Sequence, residues 1–505
     1  MRKKNRQRVL GIMILLSMLL TASMLGGCGS KSAEKSKVSS AKDLAGAKIG
    51  VQLGTTGDLY VSDYESKGST ILRYTKAADA IQALKQGKVD CIVVDEAPAE
   101  VFLHNNTDLS ILKEEFAKED YAICISKENE NLKEKINQAI GTLKKNGTIQ
   151  KIMNYYIGDS TKGKSPYKKD TTVERTNGTL VVATNATFEP YEYMQGEEIV
   201  GIDMDLAQAI CDLLGMDLKV ENLEFDAIIN SVQSGKADIG IAGMTVTEER
   251  LQSIDFTDSY TTSTQVIVVR NGESSAITSL KQKFYSNFIE DNRYLYLVKG
   301  LLITLQITIL AILLGVAIGF LVGILRTVCD GSRKYKLLNL LLKGYVTIIR
   351  GTPTMIQLLI IYYVIFASSN MNKVLIAVIA FGVNSSAYVA EIVRSGINSV
   401  DPGQFEASRS MGFSYGQTMR YVILPQAVKN VLPALGNEFI VLLKETAITG
   451  YIGIMDLTRG GDYIRSRTFE AFLPLIAVAL VYLCIVVLLT AGVSALERKL
   501  NTDGK

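Results

Sequence analysis

Residues 48–57 read KIGVQLGTTG and residues 238–250 read DIGIAGMTVTEER. Each is a short apolar strand that runs into a turn of glycine and threonine and then into a helix start. The same alternation extends outward on both sides. Residues 47–52, 89–94, 179–183 and 237–242 form short apolar strands, while 132–145 and 205–214 carry apolar residues at helical spacing. Alternation of this kind predicts open parallel sheets covered by helices. There is also an internal echo. Ala80-Ile81 followed by Gly87-Lys88-Val89-Asp90 matches Ala227-Ile228 followed by Gly235-Lys236-Ala237-Asp238, each time leading into a strand. The chain therefore predicts two similar α/β lobes, 44–158 and 178–270.

In open sheets of this type, ligands bind beyond the carboxyl ends of the strands, and the polar residues of this chain gather there. After the strand 49–52 comes Gly54-Thr55-Thr56-Gly57, whose backbone N–H groups and hydroxyls suit a carboxylate. After 89–94 comes Asp95, a fixed carboxylate suited to an ammonium group. After 237–242 comes Gly243 to Arg250, in which Thr247 is placed to cap a helix that carries Arg250 in its first turn. An arginine fork grips a carboxylate with two hydrogen bonds. After 179–183, Asn185 to Tyr191 presents an aromatic face with Phe188. Taken singly, Arg250 reads as a surface ion pair, Asp95 as a helix cap and Phe188 as core. Their common place at strand ends favours a shared ligand site.

Composition divides the 505 residues into a water-exposed half and a membrane half. Hydrophobic residues make up 48% and charged residues 21%, and mean hydropathy is positive. Residues 40–275 nevertheless carry charge at ordinary soluble density, so the apolar excess lies in 297–495. A net charge of +3 gives no reason to expect nucleic acid as a partner. At the N-terminus, Arg2, Lys3, Lys4, Arg6 and Arg8 precede the apolar run 9–25 and then Leu25-Gly26-Gly27-Cys28. This is the layout of a secretory signal in 1–28, and Leu-x-x-Cys resembles a bacterial lipobox in which Cys28 is lipidated. A retained signal anchor is the alternative, and both place the following domain outside. Residues 29–43 then act as a tether. Cys91, Cys124, Cys211, Cys329 and Cys484 lack paired or metal-like spacing and are expected as buried small residues, with no metal site.

The runs ATNATFEPYEYM (183–194), IVGIDMDLAQAI (199–210), DIGIAGMTVTEER and KIGVQLGTTG resemble the solute-binding proteins of polar amino-acid ABC importers. The resemblance implies a two-lobed type II periplasmic-binding-protein-like fold and an amino-acid ligand. It implies that Arg250, Thr245 and Thr56 hold the α-carboxylate, and that Asp95 and the Gly243 carbonyl hold the α-amino group. Phe188 and Phe225 would flank the side chain, with Asn185 and Gln52 at its polar end. The family often has Asp at the Asn185 position, which leaves glutamine-like and basic ligands both open. The order of the lobes departs from the family. There the GMTVTEER lobe comes first; here it follows, so a circular permutation is expected, with 159–177 joining the family's old ends and the cut between Arg270 and Leu44. A tandem pair of half-domains that associate between chains is the competing arrangement.

Within that linker, Gly158 to Ser165 matches the phosphate-loop pattern G-x-x-x-x-G-K-[ST]. A helix precedes it and Pro166 follows, the reverse of the strand-loop-helix setting that cradles phosphate, so no nucleotide is expected there. After a linker at 271–296, an all-α permease domain is expected over 297–498. Its five spans are expected at 300–325, 354–367, 374–396, 431–454 and 472–495. Arg326, Arg333, Lys334, Lys336, Lys343 and Arg350 between the first two spans make that loop cytoplasmic.

Residues 401–425, DPGQFEASRSMGFSYGQTMRYVILP, read as two short helices. Asp401 caps the first, Pro402 begins it and Gly412 ends it; Ser414 and Gln417 form a capping box for the second. The stretch resembles the coupling loop of ABC importer permeases, and Arg350-Gly-Thr-Pro353 and Ala387-Tyr-Val-Ala-Glu391 are similar to the polar amino-acid branch. The resemblance implies that Glu406, Ala407 and Gly412 dock in a groove of a separate cytoplasmic ATPase that uses ATP. It also implies a permease homodimer or heterodimer in a lipid membrane. No catalytic residue or cofactor is expected on this chain, and His104 is expected at the surface. Asn384, Glu391, Asn437, Glu438 and Lys444 should face protein rather than lipid. Other classes fit less well. A ligand-gated channel or amino-acid sensor also uses such lobes, but a glutamate-receptor-type channel places its pore between them and needs a filter loop.

Overall fold

The computed structural model describes residues 36–502 apart from 105, 158–161, 197, 273–279, 331–334, 368, 370 and 469. The signal at 1–28, Cys28 and the start of the tether lie outside the described residues, as do the first four residues of the phosphate-loop-like stretch.

In chain order the strands are β1 (Lys48–Gln52), β2 (Thr70–Tyr74), β3 (Cys91–Asp95), β4 (Leu109–Tyr121), β5 (Cys124–Ile125), β6 (Thr179–Thr184), β7 (Thr187–Phe188), β8 (Glu192–Gln195), β9 (Glu198–Val200), β10 (Asp217–Asn222), β11 (Ile239–Gly240), β12 (Asp255–Phe256) and β13 (Thr261–Arg270). They build two five-stranded sheets, ordered β2-β1-β3-β13-β4 and β10-β6-β11-β5-β12, with a small sheet β7-β8-β9 beside the second. Ile49, Val51, Cys91, Val93 and Ile267 are buried together on one face of the first sheet. Leu180, Val182 and Ile239 of the second pack with Ile136, Ile140 and Ile210 from the helices that cover it.

The sheets are mixed rather than wholly parallel. β1 pairs parallel with β2 and β3, and β6 parallel with β10 and β11, as the alternation predicts. β13 runs antiparallel to β3 and β4, while β5 runs antiparallel to β11 and β12. These antiparallel members are the strands that cross between the lobes. The chain passes from the first sheet to the second between β4 and β5, and returns between β12 and β13. A strand that arrives from the other lobe enters its sheet from the opposite end.

Two crossings exist where the sequence reading left one, and they redraw the lobes. Residues 261–270, expected with the later lobe, lie in the first sheet. Residues 124–157, expected with the earlier lobe, supply β5 and the helices Glu130–Lys145 and Thr148–Ile157 to the second. The linker stays on that same lobe. Tyr167, the Asp170 amide and Arg175 all bond to the Asp212 carboxylate, and the Asn177 amide donates to the Gly215 carbonyl.

Beyond residue 280 the structure is helical. The helix Tyr294–Asp330 is followed by Lys336–Gly351, which meets Thr354–Ile365 at a 107° bend, then by Lys373–Asn398, Pro402–Ser410, Tyr415–Thr418, Leu424–Glu445, Leu457–Thr468 and Phe472–Thr502. Among the described residues, three helices are long and apolar enough to cross a membrane, or up to four if the bent pair counts as one span. On length and composition alone, the expected five spans are not confirmed. The segment at 354–367 is a short broken arm, and the segment at 431–454 divides into a polar helix carrying Pro433 and the 3-10 turn Thr446–Ile452. Gly315, Gly319 and Gly323 let the first long helix lie against Ser385, Val389 and Val393; a Cβ at Gly319 would stand 2.5 Å from Val389. Cys91, Cys124, Cys211 and Cys329 are buried as expected, but Cys484 is exposed on the last helix, whose faces are largely uncovered.

Candidate functional site: the cleft between the lobes

The turn after β1 forms as the sequence predicts, with Thr55 capping the helix Thr56–Ser62 by accepting from the Asp58 amide. Thr247 likewise caps Glu248–Ser253 by accepting from the Arg250 amide, which fixes Arg250 in the first turn. These turns belong to opposite lobes and face each other. One cleft is lined by Gln52, Thr55, Thr56 and Asp95 from one lobe and by Asn185, Phe188, Phe225, Ala242, Gly243, Thr245 and Arg250 from the other, and it is nearly closed, with a cavity of about 20 Å³. All nine residues expected to touch a ligand are among them.

Arg250 is buried and its guanidinium crosses the cleft. It donates to the Thr245 carbonyl at 2.7 Å in its own lobe and to the Gly54 carbonyl at 2.8 Å in the other, and stands 5.6 Å from the centre of the Phe225 ring. Burial pulls its pKa below the ordinary arginine value. Asp95 ends β3 and accepts from the Tyr121 hydroxyl and from Ser263 Oγ at 3.2 Å. Burial, with the nearby charge of Glu119, pushes its pKa up to about 7. Such a carboxylate gains most from an arriving ammonium group, which restores the charged form.

Gly243 holds φ at +52°, and a Cβ there would lie 3.0 Å from Phe188 and 3.1 Å from Tyr121, so only glycine fits without displacement. Its amide donates to Asp203 at 2.8 Å. Asn185 lines the cleft, yet its side chain is engaged within its lobe: Nδ2 donates to the Leu223 carbonyl and Oδ1 accepts from Thr187. Sequence reasoning missed three residues behind the lining. Glu119 accepts from Thr56 Oγ1 at 2.8 Å and Thr245 Oγ1 at 2.7 Å; Gln265 donates to Glu119 at 3.3 Å; and Tyr121 holds Asp95. No motif marks Glu119, which stands among the charged residues of a long strand.

The cleft sits on the helical domain, and a single helix touches both lobes. From Leu457–Thr468, Asp462 pairs with Lys76 and Arg465 with Asp79 of one lobe. On the other lobe, Arg459 meets Glu224 at 3.2 Å, Tyr463 accepts from Asn222 at 2.7 Å, and Arg467 pairs with Glu189. Glu224 also lies 3.9 Å from Lys76, so the network spans the cleft mouth. A second cavity of about 280 Å³ lies there, and Phe225 lines both it and the cleft.

At the far end, Asp401 accepts from the Gly403 amide at 2.8 Å, Gly412 ends the first short helix at φ +86°, and Ser414 and Gln417 form the reciprocal capping box. Glu406, Ala407 and Gly412 are all exposed. Inside the helical domain Glu391 bonds to Arg326 and Arg394, Asn384 to Gln357 and Glu438 to Ser385. Asn437 and Lys444 are exposed in the single chain, against the expectation that they face protein within it.

The family model for bacterial extracellular solute-binding proteins, family 3, matches residues 180–472, more than half of the chain. The chain belongs to this family. The match begins in β6, so the segment 44–157, which completes both sheets of this family 3 protein, lies ahead of it.

The chain also has permeases among its relatives. The putative glutamine transport system permease protein GlnP of Rickettsia bellii is 38% identical over 213 residues, which is 41% of this chain and 94% of that protein. The arginine transport system permease protein ArtQ of Bacillus subtilis is 37% identical over 210 residues, 41% of this chain and 94% of that protein. A crystal structure of an amino acid ABC transporter with histidines is 41% identical, covers 45% of this chain and 100% of that chain, and has a TM-score of 0.40. This family 3 protein is thus a solute-binding domain fused to an amino-acid ABC importer permease.

Proposed function

We propose that this chain captures a polar amino acid outside the cell membrane and delivers it to its own permease, with ATP hydrolysed by a separate cytoplasmic subunit. The observation that carries the reading is the convergence of nine residues from two lobes on one cleft, with Arg250 of one lobe and Asp95 of the other both lining it. Arg250, Thr245 and Thr56 would hold the α-carboxylate; Asp95 and the Gly243 carbonyl would hold the α-amino group; Phe188 and Phe225 would flank the side chain. Asn185, already engaged, would present a fixed dipole, and Gln52 would meet the polar end. A ligand that bonds to both lobes stabilises the closed arrangement over the open one by its differential affinity.

The binding domain is read as a circular permutant held within one chain. In support, the strands of both lobes pair with strands from both sides of the linker. The permease is read as five spans, its polar fourth segment being covered by a second permease chain, and Glu406, Ala407 and Gly412 as the contact with the ATPase. Cys28 is read as the lipid-bearing residue. Calorimetry of the full chain in detergent against a panel of amino acids tests the reading. Micromolar or tighter binding of one polar class is expected, and no heat from any amino acid would sink it.

A further inference from the structure

Glu119 has no part in the site as read from the sequence, yet it is a buried acid at the cleft that bonds to both lobes. It is 4% exposed, against 6% for Asp95 and 7% for Arg250. One carboxylate oxygen accepts from Thr56 of one lobe and Thr245 of the other, so it ties the lobes together where they meet. The other oxygen, Oε1, is buried without a hydrogen-bond partner. Arg250 is the sole basic residue among those lining the cleft. The other ionisable groups nearby do not balance it. Asp58 is matched by Arg73 in its own lobe, Tyr60, Tyr121 and Tyr191 are phenols held protonated by burial, and Glu192, behind Gly243, is driven to its neutral form beside Asp203. Asp203, buried behind Gly243 with its pKa raised by burial to about 6, adds negative charge and balances none, so at least the two buried carboxylates Asp95 and Glu119 face one guanidinium.

Resting on the amino-acid importer reading, we propose that Glu119 is a specificity-determining residue: it leaves the closed cleft one negative charge in excess, so the favoured ligand is an amino acid with a cationic side chain. A zwitterionic ligand brings no net charge and leaves that carboxylate uncompensated in a dry site, whereas a guanidinium or ammonium side chain cancels it. A unit charge about 8 Å away, at an effective dielectric of about 20–40, changes binding by roughly five- to thirtyfold.

The test is calorimetry of the full chain in detergent with L-arginine, L-lysine and L-glutamine. Wild type should prefer arginine or lysine to glutamine, and arginine should release more protons than glutamine when titrated near neutral pH in buffers of different ionisation enthalpy. Glu119→Gln keeps the shape and acceptor oxygen and should lower the arginine-to-glutamine ratio about tenfold. It should also move the acid limb of binding to lower pH, because the charge that helps to hold Asp95 high is gone; Glu119→Asp should retain the preference. A ratio within twofold of wild type together with an unmoved acid limb would overturn the inference, as would a wild type that prefers glutamine. If the glutamine variant does not fold, the wild-type proton release decides, and equal release by arginine and glutamine overturns it. A wild type that binds no amino acid would overturn the importer reading, and this inference with it.

Discussion

The backbone N–H of Ser36 donates to the carbonyl of Arg270 at 3.1 Å, although the whole binding domain lies between them in sequence. The Ser36 hydroxyl adds a bond to the Asp90 carbonyl, so the start of the described chain is stitched to the end of β13. On the permutant reading these two points would be neighbours in the family's sequence order; in this chain they are neighbours in space. Chain ends that lie together on a surface can be joined and reopened elsewhere at little cost. A binding domain in which Arg270 is linked to Ser36 and the chain is opened within 158–177 should therefore fold, with a melting free energy within about 2 kcal/mol of the original order. Denaturant melts followed by circular dichroism check this. A rearranged domain that stays unfolded would mean that the lobes do not pair within one chain.

Arg250 and Asp95 are each predicted to be indispensable for ligand capture. Removing one member of a desolvated charge contact leaves the other buried and unpaired, at a cost of about 2–5 kcal/mol. Arg250→Ala and Asp95→Ala should each weaken amino-acid binding by at least about thirtyfold on that scale. Unchanged affinity in both, measured on the full chain, would refute the site assignment.

The raised pKa of Asp95, at about 7, gives binding a pH dependence of definite sign. Below that pH the free site carries a proton that must leave before an ammonium group can pair. Affinity should be flat above about pH 8 and fall below pH 7, by up to about tenfold per unit. The same shift acts on folding. Asp95 has a higher pKa folded than unfolded, so its ionisation costs stability as pH rises from about 4 to 7, and ligand should recover part of that loss. Thermal melts at pH 6 and 8 with and without ligand measure both effects.

These predictions rest on residues of unequal visibility in the sequence. Thr56, Asp95, Asn185, Phe188, Gly243, Thr245 and Arg250 were legible because they follow short apolar strands, whereas Gln52 and Phe225 came only from the family resemblance. Glu119 was not, since it lies in LKEEFAKEDY, where alternating charge reads as a solvated strand. Only the crossing of β4 between lobes carries that position under Thr56 and Thr245. β13 misled for another reason. Residues 261–270 follow the later lobe in sequence and read as part of it, since nothing local says which sheet a strand will join. The membrane spans are hardest to count from sequence where helices bend or turn polar, at Gly351 to Thr354 and around Pro433, because hydropathy counts residues and ignores their path.

The coupling loop should separate assembly from ligand capture. Its two exposed helices meet at Gly412, whose φ of +86° belongs to the left-handed region that β-branched residues avoid. Gly412→Val should strain the turn by about 1–2 kcal/mol and misdirect Glu406 and Ala407. Co-purification with the cognate ATPase should then fall while amino-acid binding by the full chain stays within twofold of wild type. Loss of binding as well would mean that the loop supports the fold rather than the partner.

Charge exchange between the lobe and the permease provides the last test. Asp79 pairs with Arg465, and Lys76 with Asp462, so one lobe is held to the helix Leu457–Thr468 by two opposite-sense ion pairs. Asp79→Arg places two cations together and should reduce ligand-driven uptake in cells that also express the ATPase, by about fivefold or more, because like charges across an interface oppose docking. Adding Arg465→Asp restores an attractive pair in the reverse sense and should recover most of the uptake. Rescue is the informative result, since a merely destabilised lobe would be harmed further by a second substitution. Failure of the double variant to exceed either single one would show that these side chains do not join lobe to permease during transport.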